Sequence, residues 1–378
     1  MNVAFYAPLK APDHPVPSGD RAVGRMLLSA LRAGGHRVEL ASRLRSLDRR
    51  GDAGNQARIE KRARRVVQRL LERYRRDDCA QRPQLWFTYH LYHKAPDLIG
   101  PVISRELNVP YVVAEASHAP KQAEGAWNSG YLRAAAAMQQ AAMIITLNPT
   151  DEPCVRDLLG SGATLRRLAP FIDSSAGTRA LQAHEACAAL RHRLGMRADR
   201  PTIACAAMMR HGDKLASYRI LAEALGHLLH LPWQLLLLGD GPASDQVEEM
   251  MRPLGKRVFR AGLVAPSMLP QWLCGCDLYV WPAVNEAWSM ALLEAAAVGV
   301  PAIAGDEGGV SSVIESGVSG IVTPARDVAA LAHAIEALLG DDHRRRKLGE
   351  AARAKLLAEH DFAAASRSLN QLLVELLP

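Results

Sequence analysis

Short apolar runs alternate with helix-period segments from one end of this 378-residue chain to the other. A run that is apolar on both faces needs cover on both sides, and successive parallel strands need a crossover, usually a helix, between them. The pattern predicts strands at Val3–Pro8, Arg37–Ala41, Leu85–His90, Tyr111–Ala116, Met143–Leu147 and Leu165–Phe171 in the first half. In the second half it predicts them at Thr202–Met208, Gln234–Leu238, Val258–Leu263, Asp277–Trp281, Ala302–Ala304 and Gly320–Val322. Strand and helix alternating throughout make the fold class α/β, with doubly wound parallel sheets. The length suits two domains. The break falls after Pro170-Phe171-Ile172-Asp173, where a strand ends in small and polar residues, so the boundaries are set at 1–173, 174–357 and a closing segment 358–378. Ligands in such sheets bind beyond the carboxyl ends of strands, and two such domains facing each other would create a cleft.

Several classes of function are excluded early. The longest apolar stretches are far short of the roughly 20 residues that span a bilayer. Met1–Tyr6 reads directly as a strand, without a basic n-region or a long apolar h-region, so a cytoplasmic location is expected. Six cysteines are scattered, with neither zinc-site nor redox-motif spacing, and are expected to be reduced and buried; no metal site and no cofactor are predicted. The net charge of +7 is local: residues 43–76 hold 13 Lys and Arg against four acids, which leaves the rest slightly acidic. That distribution argues against a nucleic-acid binder and marks one basic segment.

Four loops after predicted strands carry chemistry. Pro17-Ser18-Gly19-Asp20 opens a helix, and Gly19 there either lets backbone amides approach an anion or makes a plain turn. Arg210 and Lys214, just past Thr202–Met208, pair a planar fork with a point charge; they suit a diphosphate or are ordinary surface charge. Leu238-Gly239-Asp240-Gly241 ends a buried strand in a Gly-x-Gly turn without the third glycine of a dinucleotide fingerprint. Gly239 and Gly241 admit either a close nucleotide or a structural turn, and a dehydrogenase is disfavoured. Trp281–Glu294 holds two carboxylates eight apart. Ser289 is placed to cap a helix beginning at Met290, which leaves Glu286 in the loop and Glu294 more than a turn inside an apolar helix. A lone carboxylate there needs a partner. Ribose hydroxyls would serve, as would a neighbouring arginine or solvent.

Glu286-x7-Glu294, followed by Gly299-Val300-Pro301 and Gly308-Gly309, resembles the E-x7-E segment of GT-B glycosyltransferases, nearest the retaining family 4 (group 1) set. Gly19, His118 in Glu115-Ala116-Ser117-His118, Arg210, Lys214 and Gly317-Val318-Ser319-Gly320 follow in that family's order. The chain departs from it at Ala287-Trp288-Ser289, where Gly-Phe-Gly is common, and at Ser312, where many members have glutamate. The resemblance implies two Rossmann-like domains. The first would bind an acceptor glycan, lipid or small molecule; the second, a UDP- or GDP-sugar. The final helix, Phe362–Leu377, would return to the first domain. It further implies metal-independent, retaining transfer. Arg210 and Lys214 would stabilise the diphosphate, Glu286 and His118 would hold the sugar, and Glu294 would hold the ribose, with Gly19, Gly239, Gly241, Ser289 and Met290 lining the donor site. An epimerase of the same fold and a non-catalytic nucleotide-sugar-binding protein are the competing classes.

In the basic segment, Ile59, Ala63, Val66, Val67, Leu70, Leu71 and Tyr74 recur at helical spacing, with Arg58–Arg76 otherwise mostly cationic. This is an amphipathic helix packed on the first sheet. Its basic face is either solvated or a peripheral contact for the anionic inner membrane surface.

Overall fold

A computed structural model describes residues 1–16, 18–76, 82–159 and 164–376. All twelve predicted strands form, as two parallel six-stranded sheets. The first contains β1 (Asn2–Tyr6), β2 (Arg37–Ser42), β3 (Leu85–Leu91), β4 (Tyr111–Ala116), β5 (Met143–Thr146) and β6 (Thr164–Arg167), in the order β2-β1-β3-β4-β5-β6. The second contains β7 (Thr202–Ala206), β8 (Gln234–Leu238), β9 (Val258–Gly262), β10 (Leu278–Trp281), β11 (Ala302–Gly305) and β12 (Gly320–Thr323), in the order β12-β11-β10-β7-β8-β9. Read from its other edge, the second sheet has the 3-2-1-4-5-6 order of a Rossmann domain, with its reversal between β7 and β10. The first reverses between β1 and β3, in the flavodoxin-like manner.

Several strands end earlier than the apolar pattern predicts, β1, β6 and β7 by two residues or more. At the end of β7 the Ala207 and Met209 amides still bond the Leu238 and Asp240 carbonyls, both at 3.0 Å, but the Ala207 carbonyl accepts the Tyr218 hydroxyl at 2.7 Å. β6 stops at Arg167 although the apolar run continues to Phe171. Phe171 and Ile172 instead pack in the second unit, where Ile172 exchanges backbone bonds with His360 and Phe362.

The chain forms two compact units, Met1–Ala169 with the C-terminal segment from Ala365, and Pro170–Ala364. The inner strands of each sheet are buried on both faces, with Trp86, Tyr6 and Phe87 at the centre of the first and Trp233, Trp281 and Tyr279 at the centre of the second, while the edge strands β2, β6 and β9 are largely half-buried or exposed. Side chains of this size contribute about 1.5–3 kcal/mol each on burial. In the first unit Asp97 is buried with both oxygens engaged, by Thr88 and Tyr111 hydroxyls and the Ile99 and Gly100 amides. Its role is to tie β3 and β4 to the helix Gly100–Leu107. The helix Phe362–Val374 belongs to the first unit from Ala365 onward, and its Ser366 hydroxyl donates there to the Ala30 carbonyl.

The cysteines differ in part from expectation. Cys187, Cys205, Cys274 and Cys276 are buried thiols but Cys154 is exposed, since only Val155 of its short helix Glu152–Leu159 faces inward. Cys79 lies outside the described residues. Among the described residues no helix is long and apolar enough to cross a membrane.

Candidate functional site

In the second unit the predicted residues emerge at the β7/β10 reversal, where an open sheet offers a crevice. The loop after β7 carries Arg210, exposed and without an ion-pair partner among the described residues. The helix Asp213–Gly226 follows, opening after Gly212 at φ 83°. Lys214 stands in its first turn, and its Nζ donates to Glu286 Oε2 and lies 5.0 Å over the Trp281 ring. Trp281 Nε1 donates to the same carboxylate oxygen at 3.1 Å. Lys214 and Glu286, 72 positions apart, therefore meet as a half-buried pair over an indole face. The N-terminus of the helix Asp213–Gly226 lies beside them, with its positive potential partly offset by its first residue, Asp213.

The loop after β10 is held in an uncommon conformation, with Ala283, Asn285 and Ser289 at φ 59°, 49° and 55°. Ser289 stands before the helix Met290–Ala297 as expected, yet its hydroxyl makes no cap bond. Its backbone is left-handed, at φ 55° and ψ 106°, where a capping residue is typically extended. Glu294 lies in the second turn of that helix. Among the described residues it has no hydrogen-bond or ion-pair partner, so the arginine anticipated as one alternative is not there. Burial pushes its carboxyl up to about 8.

Gly239 and Gly241 have a reason internal to the fold. A Cβ on either would fall 2.0 Å from the Ala207 carbonyl oxygen or 2.3 Å from that of Met209. Their amides are engaged too, by Gly262 O and Asp240 Oδ1. Both glycines thereby press the Arg210 loop onto the end of β8. Gly308 does the same opposite Glu286, whose carbonyl oxygen would stand 1.8 Å from an added Cβ.

In the first unit, Ser18 caps the helix Gly19–Ala33 and Gly19 is its first residue, with open space where a Cβ would be; Pro17 lies outside the described residues. That N-terminus already holds an acid. Asp20 Oδ1 pairs with His90 Nδ1 at 3.0 Å, which offsets the positive end that an anion would seek. His118 stacks on Tyr131 with ring centroids 5.1 Å apart, and burial lowers its pKa, so it presents a neutral imidazole.

A group that the motifs do not reveal gathers at the carboxyl ends of β1, β3 and β4 and in the segment after β5: Asp20, His90, Glu115 and Asp151. His90 and Glu115 are left-handed, at φ 62° and 64°. Burial pushes Glu115 up to about 7, against the pull of His90, and its Oε2 is buried without a hydrogen-bond partner. For His90, burial acts to lower the pKa, but the Asp20 bond and the charges of Asp20, Glu115 and Asp151 together raise it. The nearest signal in the sequence is Glu115 beside His118; a left-handed glutamate leaves no pattern.

The basic segment is the helix Ala53–Arg76, which buries Ile59, Ala63, Val67, Leu70 and Tyr74. Arg58, Arg62, Arg65, Arg69 and Arg76 are exposed, recur at three-, four- and seven-residue steps and so share the opposite face. Among the described residues none of these five makes an ion pair. Arg64, Arg73 and Arg75 are instead paired with Glu60, Glu39 and Glu106.

Solved structures share this arrangement. Sucrose-phosphate synthase from Thermosynechococcus elongatus aligns with a TM-score of 0.75 at 20% identity, over 100% of this chain and 99% of that one. Anabaena HepE in complex with UDP-glucose aligns at 0.72 and 17% identity, over 100% of both chains. Two doubly wound parallel-sheet units of these topologies define the GT-B fold. Within it, residues 200–341 match the family model described as glycosyl transferases group 1. Among curated relatives, the alpha-D-kanosaminyltransferase of Streptomyces kanamyceticus is 31% identical over 184 residues, 48% of this chain and 47% of that protein. The chain spans about half or less of the length of the first curated relatives it matches.

Proposed function

We propose that this protein transfers a sugar from a UDP- or GDP-linked donor to an acceptor hydroxyl, with retention of configuration and without a metal ion. The observation that carries the reading is the Lys214–Glu286 pair over Trp281 at the β7/β10 reversal, with unpartnered Glu294 on the helix that follows. As the glycosidic bond breaks, negative charge grows on the leaving diphosphate. Lys214, the N-terminus of its helix and the free guanidinium of Arg210 supply fixed positive potential for that charge. A bound diphosphate would draw Lys214 away from Glu286 and free the carboxylate to accept hydroxyls of the donor sugar. Glu294 takes the ribose. In the first unit, neutral His118 can donate or accept a bond with a sugar hydroxyl, and the Asp20–His90–Glu115–Asp151 group faces acceptor hydroxyls. The test is release of nucleoside diphosphate from a panel of UDP- and GDP-sugars, with and without EDTA. Release is expected for at least one donor and should persist in EDTA. A strict need for Mg²⁺ or Mn²⁺ would remove the metal-independent mechanism, and donor isomerisation without release would make the protein an epimerase.

The acceptor is proposed to be met at the inner membrane face, through the five-arginine stripe, which extends about 27 Å along its helix at 1.5 Å per residue. Each exposed cation near an anionic surface is worth about 1 kcal/mol and is screened by salt. Sedimentation with anionic vesicles is therefore expected at low salt and lost at high salt, with none on neutral vesicles. Reversing two of the five charges should abolish it, and failure of the folded protein to bind anionic vesicles at low salt would leave the stripe as a solvated face.

A further inference from the structure

The loop that carries Glu286 is strained, and one side chain outside the E-x7-E pattern holds it. Left-handed backbone at non-glycine residues costs about 1–3 kcal/mol each and persists only where the surroundings over-determine it. Three such residues, Ala283, Asn285 and Ser289, fall within seven positions. Glu307, in the segment after β11, accepts the Asn285 amide on Oε2 at 2.6 Å. Arg326 grips the same carboxylate, Nε to Oε1 at 2.7 Å and Nη2 to Oε2 at 3.4 Å. The Arg326 bond lowers the Glu307 pKa and so keeps it ionised as an acceptor. On its other side Asn285 donates Nδ2 to Asp213 Oδ2 at 3.0 Å, and Asp213 begins the helix whose next residue is Lys214. Asn285 is thus clamped between Glu307 and the helix that presents Lys214, immediately before Glu286.

An ion pair whose arginine lies in solvent, as Arg326 does, contributes little to stability by itself. The Asn285 amide changes what this pair does, because the carboxylate charge is applied to one backbone group in a strained turn. We infer that Glu307, oriented by Arg326, is the positioning residue that sets the Glu286 loop against Lys214. The inference rests on the reading that Lys214 and Glu286 handle the donor. Glu307 makes no hydrogen bond or ion pair with either of them and acts through Asn285.

The test compares Glu307→Ala, Glu307→Gln and Arg326→Ala in the full chain, by amide hydrogen exchange over residues 283–289 and by kcat and KM for the nucleotide sugar. Glu307→Ala should speed exchange at Asn285 by about tenfold or more and lower kcat by a similar factor, since small misplacements of reacting groups cost rate steeply. Glu307→Gln, whose amide oxygen can still accept the Asn285 N–H, should lose no more than about threefold, and Arg326→Ala should fall between, as the bond survives without its charge partner. Unchanged exchange in Glu307→Ala, or in Arg326→Ala if the first variant does not fold, would overturn the clamp without touching the proposed reaction. Faster exchange with unaltered kcat and KM would overturn the positioning role. Absence of transfer by the wild-type chain would count against the reaction alone, and the exchange data would still decide the clamp.

Discussion

Lys214→Ala is expected to lower turnover by about two to three orders of magnitude while nucleoside diphosphate affinity falls by roughly tenfold or less. The asymmetry follows from when the charge appears. Before bond breaking, the diphosphate shares its charge with solvent and with the exposed Arg210, so one lost cation costs modest binding. At the transition state the leaving group gains charge beside the half-buried pair, where an organised cation is worth more than in water. Arg210→Ala should cost less than Lys214→Ala, because the guanidinium is exposed and its loop must order around the ligand. In Lys214→Ala the Glu286 carboxylate keeps only the Trp281 N–H, so its own loop gains freedom and adds to the loss. Single-turnover rates with saturating donor and calorimetric affinity for UDP and GDP separate the two quantities. Equal losses in both would make Lys214 a uniform binding contact, and no loss in either would remove it from the site.

The sheets were legible in the sequence because buried parallel strands must be continuously apolar, and twelve such runs leave few other architectures. The Glu286–Glu294 helix start was legible because an apolar run following a serine has few other readings. What escaped were side-chain meetings between distant segments and backbone held against its preference. Nothing near Lys214 announces that it closes on Glu286 and Trp281. Ser289 looks like a cap, yet it sits left-handed and its hydroxyl caps nothing. Gly239 and Gly241 read equally well as a nucleotide approach or a turn, and the carbonyls of Ala207 and Met209 account for both. His90 and Glu115 stand at the ends of β3 and β4, and Asp20 and Asp151 in the segments that follow β1 and β5. Only the sheet order brings them to one place, and pattern along the chain cannot register that order.

Nucleotide binding is expected to release a proton from Glu294, and Glu294→Gln is expected to abolish that release. Burial raises the folded carboxyl from 4.5 to about 8, so between these values the folded chain holds a proton that the unfolded chain has lost. Stability contributed at this site therefore falls as pH climbs from about 4.5 towards 8 and is level above. Ribose hydroxyls that donate to the carboxylate favour its charged form, so the bound state has the lower pKa. Affinity for UDP or GDP should accordingly rise with pH up to about 8 and then flatten. The charge-assisted contact is worth roughly 1–3 kcal/mol, or about five- to 150-fold in affinity, when the carboxylate is already ionised. Glu294→Gln should show this loss in full at about pH 8.5 and a smaller one near pH 6.5, where the wild type must first give up its proton. Glu115, raised to about 7 in the first unit, supplies the control: Glu115→Gln should leave proton release on nucleotide binding intact. Calorimetry at both pH values in buffers of different ionisation enthalpy reads the proton directly. An affinity independent of pH, with no buffer dependence in the wild type, would take the ribose away from Glu294.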